Sequence, residues 1–262
     1  MMNKKAQSLG LSHTNFESPH GLDSPNHYTT PFELAIITDY ALNNKIFKEI
    51  VSTKKITIYI NNKPKTLTNT NELLGSSFVY GVKTGFTGNA GRCLVTAANN
   101  NDLDIIVIVL GSDTKNIRTS DSKKLINYAF DNYTLIDLST YIINEFDNIC
   151  LNKIHNIHID KSFRNTLNVQ LKNYQTNTPY NLFYPVLKKE TNKVTTISND
   201  VYNIETPIYS DDTIFLINLY INDSFILSYE VVASENIPRA VYSEYFYYFF
   251  KNFKNIINNL QF

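Results

Sequence analysis

The spacing of apolar positions changes several times along the chain, and each change marks a different element. Residues 1–13 read as the end of a helix closed by Gly10, a residue that suits a helix C-terminus. A loop rich in Ser, Pro, His and Gly follows, Ser18-Pro19-His20-Gly21-Leu22-Asp23-Ser24-Pro25. Thr30 then caps a new helix, with Pro31 at its first position and Glu33 completing a capping box. Leu34, Ile37 and Ala41 recur on one face, and the pattern ends near Asn43–Asn44 or one turn later. From Thr53 the period shortens to two. Ile56, Ile58 and Ile60 alternate with Thr57 and Tyr59, which predicts a half-buried strand. Phe78–Phe86 and Arg92–Ala98 are further strands, and Ile105–Leu110 is a continuous apolar run that predicts a central, buried one. The polar turn Asn99-Asn100-Asn101-Asp102 joins the last two as an antiparallel hairpin. Ser120 is expected to cap a helix that buries Leu125, Ile126, Ala129 and Phe130.

After about residue 135 the pattern changes again. Residues 150–236 alternate short β-like runs with Asn, Asp and Thr turns, without a long helical period. Residues 214–220 and 225–232 flank Asn222-Asp223 as a hairpin. From Ser243 to Phe262 the chain reads as an amphipathic helix. Tyr242, Phe246, Phe249, Phe253, Ile256, Ile257 and Leu260 fall on one face, and Glu244, Lys251, Lys254, Asn255, Asn258 and Asn259 fall opposite. Tyr247 and Tyr248 sit off the apolar stripe. Periodicity alone leaves two readings open, a helix packed on the β domain or one lying at a membrane interface. The predicted fold class is α+β: an antiparallel sheet with helices over residues 1–135, a small β-rich domain over 136–238, and the amphipathic helix over 239–262.

Composition narrows the function classes. Of 262 residues, 43% are hydrophobic and 18% charged, which suits a packed chain. Net charge is zero, so no global electrostatic case exists for nucleic acid. Cys93 and Cys150 have no metal-ligand or redox spacing, and His155 and His158 have no cysteine or carboxylate cluster beside them. No metal and no cofactor is expected. His13, His20, His27, His155 and His158 are read as structural. The N-terminus has no apolar signal region and no stretch reaches membrane-spanning length, so the chain as given would remain cytoplasmic.

The chemistry-bearing stretch is Gly81-Val82-Lys83-Thr84-Gly85-Phe86-Thr87-Gly88-Asn89-Ala90-Gly91-Arg92-Cys93-Leu94-Val95. It resembles the extended GxKTGxTxxAGxxLV signature of serine-type D-alanyl-D-alanine carboxypeptidases, the low-molecular-mass penicillin-binding proteins of peptidase family S11. Other stretches resemble the same family in the same order: Met2-Asn3 with Ala6 and Leu9-Gly10; His20-Gly21-Leu22; Asn69-Thr70-Asn71 with Leu73-Leu74; and Arg118 with Asp121-Ser122-Lys123-Lys124-Leu125. Residues 205–236 are similar to the family's C-terminal β domain.

The resemblance implies a β-lactamase/transpeptidase-like fold and a hydrolase that trims the terminal D-Ala of peptidoglycan stem peptides outside the cytoplasmic membrane. It implies β-lactams as ligands of the intact family and a C-terminal helix on the membrane surface. A peptide ending in D-Ala-D-Ala would bind along the sheet edge as an added strand. Lys83 would supply positive charge, and Gly85 would let the peptide backbone approach. Thr84 and Arg118 would hold the terminal carboxylate, and the Phe86 N–H would form half of an oxyanion hole.

The family's other two motifs, S-x-x-K and S-x-N, are expected upstream of Met1. Two literal matches exist inside the chain. Ser52-Thr53-Lys54-Lys55 precedes a strand, whereas the mechanism needs its serine at a helix start; Ser24-Pro25-Asn26 comes in the wrong order. Losing a serine nucleophile costs on the order of 10⁶ in turnover. The expectation is therefore an N-terminally truncated, inactive chain. The alternatives are a non-catalytic peptidoglycan-peptide binding module and half of a split enzyme.

Overall fold

The computed structural model describes residues 1–76, 78–164, 166–172 and 182–259, with side chains to residue 254. The chain forms two compact units, residues 1–135 with 187–189 and residues 136–186 with 190–262.

In the first unit, helix α1 (Met2–Ser8) closes as its sequence predicts: Gly10 has φ +75° and the Leu11 N–H donates to Ala6 O at 3.0 Å. Helix α2 (Pro31–Leu42) starts at Thr30, whose Oγ1 accepts from the Glu33 N–H at 3.2 Å. The reciprocal half of the expected box does not form. The Glu33 carboxylate instead accepts from the His13 N–H (2.8 and 3.1 Å) and from Thr14 Oγ1 (2.5 Å), tying the loop after α1 to the start of α2. Glu33 is buried, and although burial opposes ionisation, the Thr14 and His13 hydrogen bonds outweigh it and hold the carboxyl below its ordinary value. A further helix, α3 (Lys45–Ser52), begins one residue after Asn44, whose Oδ1 accepts from Ile46 N and Phe47 N.

Among the described residues, strands β1 (Lys55–Ile60) and β2 (Lys63–Thr68) pair only with each other, joined by the left-handed pair Asn61-Asn62. The expected half-buried strand is therefore corrected. Ile56, Tyr59 and Ile60 are exposed and only Ile58 is partly covered, because no layer packs on this ribbon among the described residues.

The main sheet has the order β3 (Val79–Thr87), β4 (Gly91–Asn100), β5 (Leu103–Ser112), all antiparallel. Asn101 and Asp102, both at positive φ, make the predicted tight turn. The Ile105–Leu110 run is not central: β5 is an edge of this sheet and β4 lies in the middle. Its apolar character has a different cause. Ile105, Val107 and Val109 pack on one face with Ile126 and Phe130, while Ile106 and Ile108 pack on the other with Leu34, Leu42 and Phe47. Two helical layers, not two neighbouring strands, make it apolar on both sides.

Helix α4 (Lys115–Asn132) is capped by Thr114, whose Oγ1 accepts from Ile117 N at 3.1 Å; Ser120 lies inside the helix and caps nothing. Its buried stripe is Arg118, Ser122, Ile126 and Phe130, a strict i, i+4 series. Leu125, expected in the core, is exposed.

In the second unit, β6 (Tyr133–Asp137), which begins in the first, leads into helix α5 (Ser139–Asn148), continued by a π turn (Ile149–Lys153) and a 3₁₀ turn (Ile154–Asn156). This helical segment replaces the β-like reading at the start of the 150–236 region, because Ile142, Ile149 and Ile154 are drawn onto the sheet core. His155 accordingly sits in a 3₁₀ turn, while His158 lies in β7. Strands β7 (His158–Asp160), β8 (Val169–Leu171), β9 (Phe183–Leu187), β10 (Val194–Ser198), β11 (Asn203–Glu205), β12 (Thr213–Ile221) and β13 (Ser224–Ala233) follow. Four of them form the sheet β10-β12-β13-β8, and the predicted β12–β13 hairpin turns at Asn222-Asp223, both at positive φ. Phe215, Ile217, Leu219 and Val231 are fully buried there. Losing one such aromatic side chain costs about 3–5 kcal/mol, a large share of the stability of a typical domain.

Helix α6 (Tyr242–Asn259) turns Tyr245 and Tyr248 onto Phe163, with centroid distances of 4.9 and 4.1 Å. Phe246, Phe249, Phe250 and Phe253 remain 52–64% exposed. The sequence-based expectations at residues 255–262 lie outside the described side chains. Among the described residues, no helix is long and apolar enough to cross a membrane.

Candidate functional site

The stretch Lys83–Thr87 forms the C-terminal half of β3. Its inner edge pairs with β4, Lys83 opposite Val95, Thr84 opposite Leu94, Gly85 opposite Cys93 and Phe86 opposite Arg92. No described strand pairs with its outer edge. At the start of β3 that edge is occupied: the Asn71 side chain donates to Gly81 O at 2.8 Å from a buried position. The open backbone edge therefore coincides with the Lys-Thr-Gly segment.

Each candidate residue has a definite setting. Lys83 is exposed, and its ammonium donates to Thr84 O at 2.9 Å. The Thr84 hydroxyl shares a 2.6 Å hydrogen bond with Thr70 Oγ1. Gly85 is exposed, and a Cβ placed on it would meet only Cys93 Cβ at 3.5 Å, an ordinary contact. Its φ is not in the left-handed region, so the fold does not demand glycine at this position. Phe86 is 58% exposed and stacked under the Arg92 guanidinium at 3.6 Å.

Arg118 is not a surface arginine. It is 3% exposed, one Nη donates to Thr119 Oγ1 at 3.4 Å, and its Nε has no hydrogen-bond partner. A buried guanidinium with an unused donor is costly unless something anionic completes it. The Glu72 carboxyl is held below its ordinary value first by the hydrogen bond from Lys115, with Thr119 and the Arg118 charge adding to the effect.

Two sets of contacts tie α4 to β3 and to the loop before it. Phe130, on the same stripe as Arg118, packs edge-on against Phe78 just before β3, at 5.5 Å between centroids. One short loop also binds both partners. Thr70 reaches Thr84, and Glu72 reaches Lys115 and Thr119 beside Arg118. The sequence motif named this loop but gave no role to Asn69, Thr70, Asn71 or Glu72. The available signal was a run of short polar residues next to an apolar pair, which predicts side chain-to-backbone bonding but not its target. Asn3 was missed in the same way: it clamps Phe16 through its backbone N–H and C=O.

The two literal catalytic matches are placed elsewhere. Ser52 ends α3 and its Oγ donates to Glu49 O at 3.0 Å, while Lys54 lies past the helix with its side chain across Gly75. Ser24 sits in a turn closed by His27 N, in a small cleft with Asn89 and Ala90.

Residues 1–114 match the family described as D-alanyl-D-alanine carboxypeptidase, peptidase S11; the match includes Lys83–Phe86 and stops short of Arg118. The chain is similar to D-alanyl-D-alanine carboxypeptidase DacF of Bacillus subtilis, 35% identical over 134 residues, covering 50% of this chain and 34% of that protein. It is 39% identical over 136 residues to DacA of Haemophilus influenzae, covering 50% of this chain and 34% of that protein. The matched half of the chain thus spans about a third of the length of these relatives. Among solved structures, penicillin binding protein 5 from Haemophilus influenzae superposes over 91% of this chain and 65% of that one, with a TM-score of 0.66 at 24% identity, a likeness of fold.

Proposed function

We propose that the chain is part of a serine-type D-alanyl-D-alanine carboxypeptidase, the family that residues 1–114 match, and that the edge of β3 is its peptide-binding strand, acting on peptidoglycan stem peptides. The observation that carries this reading is the open β3 edge at Lys83–Phe86, flanked by a buried arginine with an unused donor. An extended peptide adds to that edge through main-chain hydrogen bonds. Its terminal carboxylate lies between Thr84 and Arg118, with Lys83 adding positive charge. The bare Gly85 leaves room for the peptide backbone, and the Phe86 N–H serves the carbonyl oxygen. β-Lactams, which carry a carboxylate next to a reactive carbonyl, fit the same strand.

In this reading residues 1–135 are the C-terminal part of the transpeptidase-like domain, 136–238 a β-rich domain and 239–262 a surface helix. The protein works outside the cytoplasmic membrane, with α6 at the membrane surface. Ser52 and Ser24 are not assigned as nucleophile, because neither heads a helix with a lysine one turn on. This stretch of chain supplies the substrate strand, and the serine–lysine pair is assigned to no residue in it.

The test is equilibrium binding of a fluorescently labelled peptide ending in D-Ala-D-Ala, measured by polarisation, with the L-Ala-L-Ala isomer as control. The D-isomer is expected to bind in preference. Arg118→Leu should weaken it roughly tenfold to hundredfold, the value of a charge-assisted hydrogen bond. Arg118→Lys, which keeps the charge but not the fork, should lie between. Equal binding of the two isomers would sink the proposal.

A further inference from the structure

Thr70 is exposed, fourteen residues from Thr84, and holds no place in the chemistry described so far, yet its hydroxyl lies 2.6 Å from that of Thr84. We propose that Thr70 is a positioning residue for Thr84: its hydroxyl donates to Thr84 Oγ1 and so directs the single Thr84 proton to the terminal carboxylate of the bound peptide. This rests on the peptide-site reading given above.

Three observations support it. First, Thr70 is held from both sides. Asn69 Nδ2 donates to Val51 O (3.3 Å) and Thr53 O (3.2 Å), and the Asn69 N–H donates to Lys54 O (2.9 Å). Asn71 Nδ2 donates to Gly81 O, and Asn71 Oδ1 accepts from Leu73 N at 3.1 Å. Asn69 Oδ1 accepts from Asn71 N at 2.9 Å, closing the turn around Thr70. Two asparagines therefore spend their side chains on fixing the residue between them.

Second, the stoichiometry of a hydroxyl decides the direction. A threonine hydroxyl has one proton and two lone pairs. If Thr84 donated to Thr70, it would have no proton left for an anion. A carboxylate can only accept, so its arrival selects the order Thr70 to Thr84 to carboxylate, and each bond in such a chain strengthens the next.

Third, the neighbouring carboxylate does not compete. Glu72 is taken by Lys115 and Thr119 on the α4 side of the loop. The hydroxyl pair is thus left to serve the open strand edge.

The experiment uses the full chain with Thr70→Val, Thr70→Ser and Thr84→Val, alone and combined. Two probes are compared: the labelled D-Ala-D-Ala peptide with a free carboxylate and the same peptide as its C-terminal amide. Thr70→Val is isosteric and is expected to weaken the free acid about five- to tenfold, the size of one lost hydrogen bond. The amide, whose carbonyl accepts the same bond without charge, should lose no more than about twofold. Thr70→Ser should restore free-acid binding to within about twofold. In a Thr84→Val background, Thr70→Val should have no further effect, since it acts through Thr84. An unchanged acid-to-amide ratio in Thr70→Val, or independent effects of the two valines, would overturn the inference while leaving the peptide site standing. Failure of the unmodified chain to prefer the D-isomer would overturn both.

Discussion

Gly85 and Gly91 sit in facing strands of one hairpin, yet the backbone requires glycine at only one of them. Gly91 has φ +66°, and an added Cβ would lie 3.1 Å from Gly111 C and 3.2 Å from Ser112 O. Both conformation and space exclude a side chain there. Gly85 has neither restriction. Gly91→Ala should therefore destabilise by about 1–3 kcal/mol, from left-handed strain plus displacement of the Gly111 backbone. Gly85→Ala should leave stability unchanged or raise it by about 0.5–1 kcal/mol, because glycine weakens a strand. The same change should impair peptide binding, since its methyl group would stand where the ligand backbone approaches. Urea unfolding and peptide polarisation on both variants check this. A Gly85→Ala chain that binds peptide as well as the unmodified one would remove the functional reason for that glycine.

At the scale of elements, the start of α2 depends on an ionised side chain. Glu33 fastens the loop at His13–Thr14 to the helix through three hydrogen bonds, and these hold its carboxyl below the ordinary value near 4.5 against the opposing effect of burial. The sign follows from linkage. A group whose pKa is lower in the folded state contributes its stability above the unfolded value and loses it as pH falls through the folded one. Stability in the first unit should therefore fall as pH drops below about 4.5, and a Glu33→Gln variant should lose less over the same range. Amide hydrogen exchange at His13 and in the first turn of α2 reads it locally. Equal acid sensitivity of the two proteins would rule out Glu33 as the source.

At the scale of the whole molecule, the fold is that of penicillin binding protein 5 over 91% of this chain. Helix α6 shows several exposed phenylalanines while spending Tyr245 and Tyr248 on Phe163. That division suits a helix that lies in a lipid interface, held to the protein by one face. The chain should co-sediment with phosphatidylethanolamine–phosphatidylglycerol vesicles, and removal of residues 241–262 should leave it in the supernatant. A Phe246→Ser, Phe249→Ser, Phe250→Ser variant should also be released with its fold intact. Retention of the deleted chain on vesicles would refute the anchor.

The sequence by itself determined what is local. The Asn101-Asp102 and Asn222-Asp223 turns were legible because short polar residues tolerate positive φ. The α2 start was legible because a cap and a proline act within one turn. The Lys83–Phe86 strand was legible because its residues are contiguous. What depends on packing between distant segments came only with the tertiary structure. An apolar run reads the same whether strands or helices cover it, so β5 looked central although α2, α3 and α4 supply its cover from a sheet edge. The resemblance pointed to Arg118, but its burial on the stripe of Ser122, Ile126 and Phe130 appeared only with α4 in place. Thr70 lay in a named stretch but had no assigned partner, because a hydrogen bond across fourteen residues leaves no mark in the periodicity of either segment. The residues of the candidate site were thus largely readable in the sequence, while the contacts that orient them exist only once the loop, the strand and the helix meet.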